Sequence, residues 1–243
     1  NQTRYCENAG STHHPSQTAY ALAIDFNLMP EETMAQTTHY FVESIHRRDN
    51  HLSVGFLGIS HLLPALTKCG QNELAFTLLE QKGNPGWLYS VINGATTIWE
   101  RWNSYIAETG TFGDVSMNSF NHYAYGSIGQ WLYRTVLGIQ TGENTDESGY
   151  HKIFLTPSWG GTLTYAKGEH ETPFGKITSS WEKKENSIVY RCTIPANTTA
   201  HLSLPSSCHS SVQILEGAAI ADTAVSGVAD FELVSGSYTF KIC

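Results

Sequence analysis

The sequence predicts a helical first part followed by an antiparallel β-sandwich. Two observations carry this expectation. Apolar residues recur at helical spacing to about residue 140, then switch to a period of two from about residue 150. Between the two patterns, Thr141-Gly142-Glu143-Asn144-Thr145-Asp146-Glu147-Ser148-Gly149 carries no apolar side chain and reads as a linker. The expected division is therefore a helical domain over 1–141, a linker over 142–149 and a sheet domain over 150–243. With 243 residues, 40% of them hydrophobic and 15% charged, the chain can bury a substantial core.

In chain order, Ser16-Gln17-Thr18-Ala19-Tyr20-Ala21-Leu22-Ala23-Ile24 follows Pro15 and is rich in helix formers. Pro30-Glu31-Glu32 opens a second helix with the stripe Met34, Thr38, Phe41, Val42 and Ile45. Its acids lie in the first turn and His46-Arg47-Arg48 in the last, the order the helix dipole favours. Ser60 is the expected cap of a third helix bearing Leu62, Leu63 and Leu66, with Pro64 in its first turn and Gly70 past its end. Asn72 is the expected cap of a fourth helix, with Leu74, Leu78 and Leu79, stopped at Gly83. A last helix is expected from about His122 to Ile139, on the stripe Tyr125, Ile128, Leu132 and Val136. Residues 84–97 and 106–121 read as long loops, where function tends to reside. In the second part Ile188, Tyr190, Cys192 and Ile194 alternate with Val189, Arg191 and Thr193. Ala200, Leu202 and Leu204 also alternate, as do Phe231 with Leu233, and Tyr238, Phe240 and Ile242. Ser235-Gly236-Ser237 looks like a hairpin turn.

Composition removes several function classes. The net charge is −8 with no basic face, so neither nucleic acid nor an anionic membrane is an expected partner. No apolar run approaches the roughly 18 residues of a membrane span. The opening residues do not resemble a signal peptide. Cys6, Cys69, Cys192, Cys208 and Cys243 are odd in number and form no CxxC pair, which points to free thiols and away from a cysteine zinc site. Asn1-Gln2-Thr3 and Asn197-Thr198-Thr199 fit the glycosylation sequon, a pattern common by chance. His13, His14 and His51 lack partners at ligand spacing, so neither a metal nor a cofactor is expected. No GxSxG elbow, P-loop or GxGxxG occurs. Carboxylate chemistry on a neutral polar substrate remains.

Two clusters suit that chemistry. In Gly94-Ala95-Thr96-Thr97-Ile98-Trp99-Glu100-Arg101-Trp102, the carboxylate of Glu100 lies between two indoles. On a helix or helical turn Trp99 and Trp102 share a face, and desolvation beside them would raise the Glu100 pKa toward acid–base work near neutrality. Indole faces also stack on the apolar faces of sugars. The plain alternative is that Glu100 pairs with Arg101 at the surface while the tryptophans pack inward. The second cluster is Met117-Asn118-Ser119-Phe120-Asn121-His122-Tyr123-Ala124-Tyr125-Gly126. It supplies neutral donors and acceptors for a hydroxyl-rich ligand, or caps for a helix. Trp87 is read as core.

Together these residues resemble the bacterial α-L-rhamnosidases of glycoside hydrolase family 78. The resemblance rests on residues 94–102 and on Ser119-Phe120-Asn121-His122-Tyr123-Ala124-Tyr125-Gly126. It extends to Gln17-Thr18-Ala19-Tyr20-Ala21-Leu22, His51-Leu52-Ser53-Val54-Gly55-Phe56-Leu57-Gly58 and Gly175-Lys176-Ile177-Thr178-Ser179-Ser180-Trp181. It implies an (α/α)6 barrel with an inverting glycosidase site, followed by a β-sandwich, and release of terminal rhamnose from plant glycosides or polysaccharides. By motif position it gives Glu100 the role of general base and places Trp99, Trp102, Asn121 and His122 at the sugar. An inverting enzyme also needs a general acid, its carboxyl roughly 6.5–9.5 Å from the base. In this family that acid lies upstream of the region matched here, and Glu7, Asp25 and Asp49 sit in no acid motif. The expectation is therefore the C-terminal portion of a larger enzyme. Its partners are a rhamnoside and the missing N-terminal part, it is inactive alone, and it is prone to self-association through exposed apolar faces. Another inverting (α/α)6 glycosidase, fucosidase or glucoamylase-like, and a non-catalytic carbohydrate-binding protein remain open.

Overall fold

The computed structural model describes residues 16–142, 144, 145, 147–205, 211–221 and 227–243. The expectations for Asn1-Gln2-Thr3, Cys6, Glu7, His13, His14 and Cys208 lie outside these residues. The chain divides into two compact units, Asn1–Gly129 and Gln130–Cys243.

The first unit is helical. Helix α1 (Gln17–Asp25) starts at Ser16, whose hydroxyl oxygen accepts the Ala19 N–H at 3.1 Å. Helix α2 (Glu31–His46) buries Thr37, Phe41 and Ile45 and keeps its acids in the first turn. Helix α3 (Phe56–Lys68) begins a full turn before Ser60, with Gly55 at its N-cap, so Ser60 does not cap it and Pro64 lies inside it. Pro64 has no N–H to offer the preceding turn. Burial of Leu62, Leu63, Ala65 and Leu66 nevertheless carries the helix through it. Gly70, at φ +71°, makes the left-handed turn into α4 (Asn72–Leu79), where Gln71 takes the N-cap position expected of Asn72. Helix α1 packs on α3 at Gly58, where a Cβ would stand 2.5 Å from the Thr18 hydroxyl oxygen. Helix α5 (Trp87–Ile92) lies in a stretch read as loop, since six residues are too few to display a helical period. A small ribbon follows, β1 (Tyr105–Ile106) paired with β2 (Thr111–Phe112).

The helix expected from about 122 to 139 is not continuous. A 3-10 turn (Ala124–Ser127), α6 (Ile128–Trp131) and a π turn (Leu132–Val136) succeed one another, and residue 139 opens a strand. The buried side chains of this stretch are Tyr125, Trp131, Thr135 and Val136, and not Ile128 or Leu132 of the expected stripe.

The second unit holds two five-stranded sheets. The remaining strands are β3 (Ile139–Thr141), β4 (Lys152–Leu155), β5 (Tyr165–Thr172), β6 (Gly175–Lys184), β7 (Ser187–Ile194), β8 (Thr199–Pro205), β9 (Val212–Glu216), β10 (Ile220–Ala221), β11 (Val228–Leu233) and β12 (Gly236–Ile242). One sheet runs β10-β11-β8-β4-β3 and the other β5-β6-β7-β12-β9. Residues 142–149 run between β3 and β4, which pair antiparallel. Pairing is antiparallel throughout except between β4 and β8, which run parallel. Residues 235–237 do not close a hairpin: β11 pairs with β8 and β12 with β7, so the turn carries the chain from one sheet to the other. All the period-two positions but Ile188 are buried: Tyr190, Cys192, Ile194, Ala200, Leu202, Leu204, Phe231, Leu233, Tyr238, Phe240 and Ile242; Ile188, near the start of β7, is half-buried. Phe231 and Phe240 join the two sheets with ring centroids 5.0 Å apart. Trp181 and Ser179 donate to the carbonyls of Val136 and Leu137 at 2.8 and 2.6 Å, so the π turn is tied to β6 by buried hydrogen bonds.

Candidate active site

Residues 94–104 form no helix; they run as bends and turns. The two sequence clusters lie side by side, antiparallel. Glu100 N–H donates to Ser119 O and His122 N–H to Ile98 O, both at 2.9 Å, and the Thr97 hydroxyl donates to Phe120 O. This strand-like exchange brings Trp99, Glu100 and Trp102 together with Asn121 and His122.

The Glu100 carboxylate is held by the same pairing. Its Oε2 accepts the Ser119 N–H at 2.6 Å, a charge-assisted bond from a group that cannot rotate away. Of the plain alternative, an ion pair of Glu100 with Arg101 or another cation does not form among the described residues, whereas Trp99 does pack inward. Arg101 lies 3.6 Å from Asp114 instead. Asp114 also accepts the hydroxyl and the N–H of Ser116, at 2.7 and 3.0 Å, and with Arg101 these bonds hold its carboxyl below the ordinary aspartate range.

Around this carboxylate the aromatic side chains are interlocked. Trp99 is buried, edge-on to Phe120 at 5.4 Å. Trp102 stacks flat on Tyr125 at 3.8 Å and 8°, meets Trp87 edge-on, and donates its indole N–H to Val54 O at 2.9 Å. Trp87 is core, as expected, and its indole donates to Tyr125 O. Burial raises the Tyr125 phenol pKa; the Arg101 guanidinium opposes this and the Glu100 carboxylate adds to it. Trp99 and Trp102 do face a common space, with Trp87, Ile98, Arg101 and Tyr125, but its volume is about 20 Å³, too small for a sugar ring. His122 stacks on Phe56 at 4.6 Å and 13°. Its Nδ1 accepts the Ala124 N–H at 3.3 Å, so the neutral ring carries its proton on Nε2 and presents a donor there. Asn121 is exposed, its N–H bound to the Ser119 hydroxyl oxygen. Asn118 donates to Ser104 O and serves the local scaffold.

Reasoning from residue types did not single out Val54 or Phe56, and it took Gln17 only as part of a helix-forming run and Tyr125 only as a member of the second cluster; the contacts of all four organise this region. The 51–58 motif entered through family resemblance. Buried Gln17 joins it physically by accepting the Ser53 N–H at 2.6 Å. Among the described residues, no group of three or more His, Cys, Asp and Glu side chains is placed to hold a metal ion.

Comparison with known proteins follows the same two-part division. Residues 1–136 match the bacterial alpha-L-rhamnosidase 6 hairpin glycosidase domain, and residues 138–218 match the bacterial alpha-L-rhamnosidase C-terminal domain. An α-L-rhamnosidase of Streptomyces avermitilis is 38% identical over 99% of the chain, which covers 23% of that protein. One of Formosa agariphila is 40% identical over 82% of the chain and 21% of its own length. The crystal structure of the Streptomyces avermitilis enzyme complexed with L-rhamnose superposes with a TM-score of 0.86, covering 93% of this chain and 21% of that one. The Aspergillus terreus α-L-rhamnosidase gives 0.82 at 28% identity, over 98% and 25%. The chain thus spans about a fifth to a quarter of the length of these relatives. With the helical unit and the sheet unit both matched, the chain belongs to the bacterial α-L-rhamnosidase family.

Proposed function

We propose that this chain is the C-terminal part of an inverting glycoside hydrolase that releases terminal α-L-rhamnose from plant glycosides or polysaccharides, with Glu100 as general base. The observation that carries the reading is the Glu100 carboxylate, fixed through Oε2 by the Ser119 N–H, on a backbone pairing that sets the 98–100 stretch beside Asn121 and His122. With Oε2 engaged, Oε1 is the oxygen that takes a proton from the attacking water as its oxygen bonds to the anomeric carbon. His122 donates from Nε2 to a sugar hydroxyl and Asn121 offers an exposed amide, while Trp99 and Trp102 pack behind them with no room between the indoles for a sugar ring. In this reading the helical unit is the second half of an (α/α)6 barrel and the sheet unit a β-sandwich. The departing glycosyl oxygen needs a proton from a second carboxyl roughly 6.5–9.5 Å from the base. That acid belongs to an upstream part of the enzyme, so the 243 residues alone do not turn over substrate.

The test uses an aryl α-L-rhamnoside with the full-length enzyme and with this chain. The full-length enzyme should hydrolyse it with inversion, and Glu100→Gln should lower kcat by about 10²–10⁴-fold, the range of a lost general base. Robust hydrolysis by the chain alone would refute the upstream acid, and an unchanged kcat in Glu100→Gln would refute the base. Rhamnose binding without hydrolysis in the full-length protein would favour a binding protein instead, and preference for another aryl glycoside would change the sugar.

A further inference from the structure

The loop between α2 and α3 forms one wall of an open groove of about 550 Å³, lined by Arg48, Asp49, His51, Leu52, Ser53, Val54, Asn84, Pro85 and Trp102. That volume falls in the roughly 300–1,000 Å³ range of ligand sites. Neither Glu100 nor His122 lines it, and only Trp102 is shared with the aromatic cluster described above.

Three features mark this loop as built to hold its shape. Asp49 and Asn50 both adopt left-handed backbone, φ +51° and +57°, a conformation that costs an ordinary residue energy and that clusters at ligand sites. The cost is met by fixing the loop along its length. His51 Nδ1 bonds the carbonyls of Arg48 and Asp49 at 3.1 and 3.0 Å, and Gln81 donates to Asn50 O at 3.1 Å. Gln17 receives the Ser53 N–H, and Val54 O receives the Trp102 indole. Among the side chains lining the groove, Arg48, Asp49 and Asn84 are exposed. Arg47 pairs with Glu43, whereas the Arg48 guanidinium and the Asp49 carboxylate enter no ion pair among the described residues.

We propose that this groove is a second sugar subsite, taking a neutral pyranose of the glycan other than the one at Glu100. Arg48 supplies donors and Asp49 acceptors for ring hydroxyls, Asn84 supplies both, and Trp102 borders the apolar face. Opposite charges on adjacent residues favour a neutral ring over a uronate, whose carboxylate would be drawn to Arg48 and repelled by Asp49. The subsite rests on the reading of the chain as a glycosidase part, but it is tested by binding rather than turnover.

The experiment is a ¹H–¹⁵N titration of the full-length enzyme, labelled with ¹⁵N over this segment, with methyl β-D-glucopyranoside and, separately, sodium D-galacturonate. The neutral glycoside should bind weakly, with Kd on the order of millimolar. It should shift the amides of residues 48–54 and the Trp102 indole N–H while leaving those of 119–122 in place. Arg48→Met, and Asp49→Gly, which retains the left-handed backbone, should each weaken binding about tenfold, the worth of a hydrogen bond to a charged group. Tighter binding of galacturonate, shifts centred on 119–122, or undiminished affinity in both variants would each overturn the subsite. Failure of the glycosidase reading would show only in the turnover assay, so the two outcomes stay distinct.

Discussion

Replacing Gln17 with Leu should loosen the 48–54 loop while leaving the helix that carries it intact. Gln17 is 3% exposed and makes three side-chain hydrogen bonds. Oε1 accepts the Ser53 N–H at 2.6 Å, and Nε2 donates to His51 O at 3.2 Å and Ser44 O at 3.4 Å. Leucine is of similar size, so no large cavity opens and the loss is polar. Stranding the part-buried Ser53 N–H costs about 1–3 kcal/mol, and each of the two longer bonds contributes about 0.5 kcal/mol, near the bottom of its range. The total is then about 2–4 kcal/mol. With a urea m-value of roughly 2 kcal/mol/M, the midpoint of the helical unit should fall by about 1–2 M. Urea unfolding read by tryptophan fluorescence measures this, and hydrogen exchange at the Ser53 amide reports the same bond locally. A midpoint shift below about 0.3 M, or an unaltered Ser53 exchange rate, would refute the clamp.

At the α1–α3 crossing, Gly58→Val would press a Cβ to 2.5 Å from the Thr18 hydroxyl oxygen and 3.0 Å from Val54 Cγ1. It should cost about 1–3 kcal/mol by thermal unfolding, and Thr18→Ala should recover part of the loss. Burial pushes the Cys192 thiol up to about 12 from an unperturbed 9.0. Its protonated form is thus favoured in the folded state, and the associated stability is complete below pH 9 and lost as pH rises from 9 toward 12. Unfolding free energies from urea titrations across that window should fall at up to ~1.4 kcal/mol per pH unit from this thiol in wild type and less steeply in Cys192→Ala. A flat wild-type profile would refute it. Buried Tyr190, raised in the same sense, contributes with the same sign. The helical unit exposes Phe26, Leu28, Leu57, Val91 and Ile92. The chain alone should therefore associate at micromolar concentration, and a monodisperse monomer by light scattering would contradict that.

Where a residue's environment follows from sequence period, the sequence was legible. Buried Tyr190, Cys192 and Ile194 follow from alternation, because a strand sends successive side chains to opposite faces. Phe41 and Ile45 follow from helical spacing in α2. What stayed hidden depends on partners far along the chain. The pattern marked β11 and β12 as strands joined by a short turn, but only their long-range partners, β8 and β7, separate them into two sheets. The stripe after residue 122 has a helical period. Only the buried bonds from Trp181 and Ser179 to the carbonyls of Val136 and Leu137 show how the π turn at its end is secured. Pro64 suggested a helix start, since proline suits a first turn, yet the burial of Leu62, Leu63 and Leu66 outweighed its missing N–H.

The candidate site divides in the same way. Residue type alone singled out Glu100, Trp99, Trp102, Asn121 and His122, because a carboxylate between indoles and an amide–imidazole pair are informative wherever they stand. Their juxtaposition was not legible. It depends on backbone bonds from Glu100 to Ser119 and from His122 to Ile98, which any side chains could have made. The two classes of information also predict different fragility. A carboxylate held by a backbone N–H keeps its position when the Ser119 side chain is changed, since only the N–H is used. Trp102, by contrast, is held by Tyr125 on its face and by Val54 O at its edge. Val54 lies in the loop clamped by Gln17, so a change at residue 17 should reach the Trp102 indole before it reaches the Glu100 carboxylate.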